Sequence, residues 1–199
     1  MANPVLYYIR HGETDWNLEG RLQGQRDVAL NGRGRAQASN CAAILRDLAA
    51  CDGRDLAQLD FVSSSLIRAR ETMEIIRTAL GLNAGSYRVE PRLQELAFGR
   101  WEGFTVAELR ATDPKGVAER ERNKWSFVPP GGESYEMLSV RIAQWYASVV
   151  QDSVVVAHGG AARALVKLLG IASSQTAPLL DIDQGVVYRF EGGKMGRYG

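Results

Sequence analysis

Two histidines, His11 and His158, are the only imidazoles in the 199 residues. Each stands after an apolar run and before a glycine, in Ile9-Arg10-His11-Gly12-Glu13-Thr14 and in Val156-Ala157-His158-Gly159-Gly160. An imidazole titrates near neutral pH, so its neutral form can serve as a nucleophile or a base. Arg10 precedes the first histidine, and Arg68 opens a helical segment in Ser63-Ser64-Ser65-Leu66-Ile67-Arg68. A guanidinium is a planar fork of five donors that matches phosphate oxygens. A helix beginning after His158 adds free N–H groups and a positive dipole end. One such histidine or arginine alone is more often structural. The repeated context of apolar run, histidine and glycine points instead to an anion pocket whose natural guest is a phosphoryl group.

That pocket requires elements that bring residues 11, 68 and 158 together. Val5–Ile9, Asp60–Ser63, Tyr87–Glu90 and Ser153–Ala157 are short runs rich in β-formers and read as strands. Helical patterns separate them. One runs from an Asn31 cap to about Ala50, one from about Leu66 to Leu80, one from Phe104 to Ala111, one from Glu133 to Val150 and one from about Gly160 to Leu169. Two last strands are expected near Val186–Phe190 and Lys194–Tyr198. Alternating strands and helices predict an α/β fold, a three-layer sandwich with a mostly parallel central sheet and helices on both faces. Ligands in such sheets bind at the carboxyl ends of the strands, where both histidines fall. The chain reads as one domain over 1–199, with residues 114–132 as a covering insertion. Trp16, Trp101, Trp125 and Trp145 read as core or rim residues, with contact of Trp125 and Phe127 to the organic part of a substrate as the alternative, and Glu133 is expected in the first turn of its helix. Residues 11–31 read as an ordered loop.

Composition narrows the function. The formal charge is +1, from 24 Lys plus Arg against 23 Asp plus Glu, and no basic run points to nucleic acid. Cys41 and Cys51 are the only cysteines; without a Cys-x-x-Cys or Cys/His cluster they read as small packing residues rather than zinc ligands. No carboxylate cluster for a metal is apparent, and Asp181 and Asp183 read as a turn. No stretch is long and apolar enough for a membrane span, and the N-terminal residues lack a leader pattern. The expectations are a cytoplasmic protein, a small-molecule partner, no metal and no cofactor, with homo-oligomerisation left open.

These residues resemble the histidine phosphatase superfamily, the phosphoglycerate mutase-like family. The resemblance rests on Arg10-His11-Gly12-Glu13-Thr14, Asn17, Leu22-Gln23-Gly24-Gln25, Leu30-Asn31-Gly32-Arg33-Gly34, Arg68-Ala69 with Thr72, Leu93 to Gly103, Gly131-Gly132-Glu133-Ser134 and His158-Gly159-Gly160. It implies His11 as nucleophile, with Arg10, Arg68 and His158 on the phosphoryl oxygens and Asn17 assisting. It implies Glu95 as proton donor, Gln23 near the leaving group, and Gly24 and Gly159 in the phosphate-binding turns. The implied activity is a metal-independent phosphomonoester hydrolase working through phosphohistidine on a small phosphorylated metabolite. The alternatives are a 2,3-bisphosphoglycerate-dependent phosphoglycerate mutase and a non-catalytic phosphate-ligand-binding protein. Ser65 stands where the family often has proline, and Phe98 where its mutases usually have tyrosine. Phe98 and the short chain favour the hydrolase.

Overall fold

Strand β1 (Leu6–Arg10) opens the chain, and a four-residue helix, α1 (Asp15–Leu18), follows within the segment read as loop. Thr14 and Asn17 cap α1 reciprocally, a capping box built from two residue types equally at home in turns. Helix α2 (Gly32–Cys51) starts at Asn31, whose side chain accepts the Gly34 N–H at 2.9 Å. Strand β2 (Asp60–Ser63), helix α3 (Ile67–Ala79) and a two-residue strand β3 (Arg88–Val89) come next. Helix α4 (Val106–Thr112) carries a Thr105–Glu108 capping box. Helix α5 (Pro114–Arg122) is capped by Asp113, with proline in the first turn where no N–H is missed. Helix α6 (Tyr135–Tyr146), strand β4 (Ser153–Ala157), helix α7 (Gly159–Leu168) and strands β5 (Val187–Glu191) and β6 (Lys194–Tyr198) complete the order. This computed structural model describes residues 4–199; residues 1–3, part of the N-terminal stretch read above for a leader, lie outside the described residues.

The six strands lie in the order β3-β2-β4-β1-β5-β6. β1 pairs in parallel with β4, β4 with β2, and β2 with β3, whereas β5 runs antiparallel to both β1 and β6. Alternation along the strands feeds two cores. Leu6 and Tyr8 of β1 and Val155 and Ala157 of β4 pack with Leu138, Ile142 and Trp145 of α6 and Leu165 of α7. Tyr7 and Ile9, with Val154 and Val156, pack with Cys41 and Leu45 of α2 and Met73 and Ile76 of α3. The α/β three-layer sandwich expected from the alternation is the architecture found. A smaller apolar cluster joins Trp101 and Leu109 to Val117 of α5.

Local differences have identifiable causes. Helix α6 is capped by Ser134, whose side chain accepts the Met137 N–H at 3.2 Å. Glu133 therefore precedes the cap instead of lying in the first turn, and its carboxylate takes Arg141 at 2.9 and 2.8 Å. The helix also ends at Tyr146, short of Val150. Cys41 is buried as expected, and burial pushes its thiol up to about 12. Cys51, by contrast, ends α2 exposed and does not pack as an apolar residue.

Candidate active site

Parallel pairing sets Arg10 opposite Ala157, so the residues after β1 and β4 leave the sheet side by side. His11 donates its N–H to the Ala157 carbonyl at 2.9 Å, and the two imidazole centroids lie 5.1 Å apart. β2 is the neighbour of β4, with Ser63 opposite Val156. The end of β2 therefore delivers Ser64 and the start of α3 to the same place. Three adjacent strand ends thus gather residues that are 50 to 150 positions apart in sequence.

His11 is buried, and its Nδ1 lies 2.7 Å from the Gly12 carbonyl. A carbonyl only accepts, so Nδ1 carries the proton and Nε2 keeps its lone pair. That lone pair meets Arg68 Nε at 3.2 Å. Burial, with the charges of Arg68 and Arg10, holds the imidazole well below its usual pKa, against the opposing pull of the Gly12 carbonyl. A neutral, tautomerically fixed imidazole is the form a nucleophile needs.

Arg68 is fully buried. Its Nη1 donates to the Arg26 carbonyl and its Nη2 to the Gly24 carbonyl, each at 2.7 Å. Burial lowers it to about 10, which leaves it protonated at neutral pH. Arg10 donates through Nη1 to the Ile182 carbonyl at 2.8 Å, while its buried Nε has no partner among the described residues. His158 is anchored on both sides. Its backbone carbonyl accepts from the Tyr8 hydroxyl at 2.7 Å, and its Nε2 lies 2.7 Å from Ser64 Oγ. Its Nδ1 is buried without a partner among the described residues. Buried polar atoms are rarely left unpaired. Arg10 Nε, on a residue that lines the cavity in front of His11, fits an anion that supplies the acceptor.

The remaining predicted residues are placed as follows. Asn17 and Gln23 line the cavity in front of His11 with Arg10, Gly24, Arg68 and Glu95. Gln23 Oε1 is buried and unpartnered among the described residues. Gly24 adopts φ +53°, a conformation that favours glycine, so that its carbonyl can take Arg68. Glu95 accepts the Leu96 N–H at 2.8 Å and the Gly160 N–H, in the first turn of α7, at 3.1 Å. A Cβ at Gly160 would collide with that carboxylate, so the approach requires glycine. Gly159 begins α7 beside Arg163 and Arg10. His158 and Gly159 are not among the residues that line the cavity. Trp125 stacks on Tyr135 and Phe127 on Trp101, and neither lines the cavity, which leaves both in the structural role read for them.

Several lining residues escaped the sequence reading. The cavity, about 190 Å³, is walled by Arg10, Arg21, Arg68, Arg120, Lys124 and Arg163, with Glu95 as its sole carboxylate among the described residues. Arg163 lies on α7, five residues after His158. That offset on an expected helix was a usable signal. Arg120 and Lys124 stand four apart in a segment of mixed charge, where solvated faces look the same. Gln184 donates to the His11 carbonyl and to Asn17 Oδ1, each at 3.0 Å, from a turn with no sequence signature. Arg141 donates to the carbonyls of Arg92, Gln94 and Glu95 at 2.6, 2.6 and 3.0 Å while held by Glu133, so α6 clamps the Glu95 loop.

Two buried neutral histidines make stability depend on pH. Burial is also the main cause that holds His158 well below its usual value, followed by Arg68 and His11. In the unfolded chain each imidazole takes a proton near pH 6.5. Below that pH the unfolded state binds more protons than the folded one, so stability falls as pH falls. The slope reaches about 1.4 kcal/mol per pH unit for each histidine. Urea unfolding should therefore show a lower midpoint at pH 5.5 than at pH 7.5. Equal midpoints would contradict the buried, neutral pair.

Comparison with known proteins gives concordant matches. A family model described as histidine phosphatase superfamily (branch 1) matches residues 6–197. A protein of Methylobacterium radiotolerans named 2,3-bisphosphoglycerate-dependent phosphoglycerate mutase is 32% identical over 195 residues, covering 93% of this chain and 89% of that protein. One of Mycobacterium tuberculosis named glucosyl-3-phosphoglycerate phosphatase is 36% identical over 174 residues, covering 80% of this chain and 72% of that protein. A crystal structure of a Thermus thermophilus protein superposes with a TM-score of 0.74 at 31% identity, covering 98% of this chain and 99% of that one.

Proposed function

The chain belongs to the histidine phosphatase superfamily, and from that premise we propose that it is a metal-independent phosphomonoester hydrolase that passes a phosphoryl group through His11. The observation that carries the reading is the His11 ring itself. Its proton is fixed on Nδ1 by Gly12, and Nε2 faces a buried arginine in a cavity walled by cations.

Nε2 attacks phosphorus, and the bond to the ester oxygen breaks. Charge on the three equatorial oxygens is met by Arg68, by Arg10 Nε and by His158. Ser64 can donate its hydroxyl to His158 Nε2, which leaves the proton on Nδ1, a buried donor without a partner among the described residues. Glu95 gives its proton to the leaving oxygen. In the second step it takes a proton from water, which attacks phosphorus and breaks the P–N bond. Inorganic phosphate leaves and the neutral His11 returns.

The mutase reading keeps one observation in its favour, since relatives named as mutases match nearly end to end. Chain length therefore does not discriminate between the two, although Phe98 on the cavity wall remains where those enzymes usually have tyrosine. A phosphate-release screen over phosphomonoesters, including 3-phosphoglycerate with and without 2,3-bisphosphoglycerate, separates them. The hydrolase releases phosphate; the mutase interconverts the phosphoglycerates without net release. Among the described residues no group of three or more His, Cys, Asp or Glu side chains could hold a metal. Turnover in that screen should survive EDTA. Loss on chelation, restored by magnesium or zinc, would assign the chemistry to a metal site.

Glu95→Gln tests the proton donor. An activated leaving group such as p-nitrophenolate needs little protonation, whereas an alkoxide needs it in the transition state. Single-turnover phosphorylation of the enzyme should slow only mildly with p-nitrophenyl phosphate and strongly with an alkyl phosphate. Equal losses on both would mean that Glu95 only shapes the pocket.

A further inference from the structure

Sheet topology brings one more side chain against the nucleophile. β5 runs antiparallel to β1, with Tyr188 opposite Tyr8, so the turn that precedes β5 lies beyond the carboxyl end of β1. Gly185, at φ +76°, leads the chain into the strand. The Tyr188 hydroxyl accepts the Asp183 N–H at 2.7 Å, and Arg197 holds the Asp183 carboxylate at 2.8 Å. From this fixed turn the Ile182 carbonyl takes Arg10 Nη1 at 2.8 Å. Gln184 Nε2 donates at 3.0 Å both to the His11 carbonyl and to Asn17 Oδ1. An amide nitrogen carries two hydrogens, and both are engaged here. Gln184 is not among the residues that line the cavity, so whatever it does for the reaction passes through His11 and Asn17.

The two acceptors matter for different reasons. The His11–Gly12 peptide is held at its carbonyl by Gln184 and at its N–H by Thr72 Oγ1, at 3.0 Å each. The plane of that peptide sets where the following carbonyl, that of Gly12, meets the proton on His11 Nδ1. Asn17 Oδ1 accepts from the Thr14 N–H and hydroxyl, each at 3.2 Å, as well as from Gln184. With three donors on its oxygen, the Asn17 amide keeps only N–H groups to offer the cavity that it lines. A phosphoryl oxygen accepts hydrogen bonds, and an Asn17 turned the other way would set one lone pair against another.

We infer that Gln184 is a positioning residue for phosphoryl transfer, acting through the His11 turn and through the orientation of Asn17. The inference rests on the phosphohistidine reading and adds to it a residue outside the cavity. A group displaced by about 1 Å can cost roughly 10²-fold in rate, so a side chain that never meets substrate can still govern turnover.

Two substitutions test it. Gln184→Met keeps the length of the side chain and removes both N–H groups. Gln184→Glu keeps its shape but sets carboxylate oxygens against two acceptors. Each should lower the single-turnover rate of phosphorylation by p-nitrophenyl phosphate at least about tenfold while melting close to the wild type. A role in packing alone would leave the glutamate variant, or the methionine variant, at the wild-type rate. The coupling to Asn17 is read in a double-mutant cycle. In an Asn17→Ala background Gln184→Met should cost at least about threefold less than it does alone, because one of its two targets is already gone. A wild-type rate in either folded variant, or losses from Asn17→Ala and Gln184→Met that simply multiply, would overturn the inference. Calorimetric titration with orthovanadate runs the same cycle without turnover: Gln184→Met should weaken binding at least about threefold alone and not in the Asn17→Ala background. Where the wild type hydrolyses p-nitrophenyl phosphate, the rate cycle decides the role of Gln184. Where it does not, the phosphatase reading fails by itself, and the orthovanadate cycle decides Gln184, unchanged affinity in Gln184→Met overturning it.

Discussion

His11→Ala should lower turnover of every phosphomonoester by at least about 10⁴-fold, in the range seen when a covalent nucleophile is removed. The covalent route needs a lone pair aimed at phosphorus, and the Gly12 carbonyl and Arg68 fix which nitrogen provides it. Alanine leaves the arginines to bind phosphate, so affinity for orthovanadate or phosphate should fall far less than the rate. Removing the imbalance of a buried imidazole should also make the variant less acid-sensitive. A variant retaining more than a few per cent of wild-type turnover would place the nucleophile elsewhere.

Arg68 is the second position where a large effect is expected. Its side chain is fully buried and reaches His11, Gly24 and Arg26 at once. Charge-assisted contacts are worth roughly 1.5–3 kcal/mol each. Loss of one or two of them from the transition state lowers kcat/KM by about 10- to 10³-fold. Arg68→Lys keeps the charge but not the planar fork, so it should recover little of the activity. The loop that carries Gly24 also loses its anchor, and circular dichroism melting of both variants separates that effect from the kinetic one. Wild-type kinetics in folded Arg68→Met would put the guanidinium outside the phosphoryl pocket.

The sequence announced the parts of this site that chain direction alone determines. Apolar runs ending at Arg10, Ser63 and Ala157 marked strand ends, and parallel pairing then had to place His11, Arg68 and His158 together. The same logic could not find α1, because Thr14 and Asn17 are as common in turns as in caps. It also started α6 two residues early, at Glu133, since Ser134 is the stronger cap. Glu95 carried no local signal; only resemblance to the family pointed to it, and its seat against Gly160 depends on Arg141 clamping a loop from another helix. Arg120 and Lys124 were illegible for the same reason. Whether a charged residue in a covering segment faces solvent or a cleft is decided by how that segment lies over the sheet. Trp125 and Phe127, the more conspicuous residues there, anchor it by stacking on Tyr135 and Trp101.

The central claim, covalent transfer through His11, is tested most directly by trapping. Wild-type protein is mixed rapidly with p-nitrophenyl phosphate, quenched in base and digested for mass spectrometry. The mechanism predicts phosphate on His11, stable to base and lost in acid, with an amount that rises in Glu95→Gln as hydrolysis of the intermediate slows. Phosphate found on a serine, on Cys51 or on His158 would contradict it, as would turnover with no adduct in either protein and no burst of p-nitrophenolate.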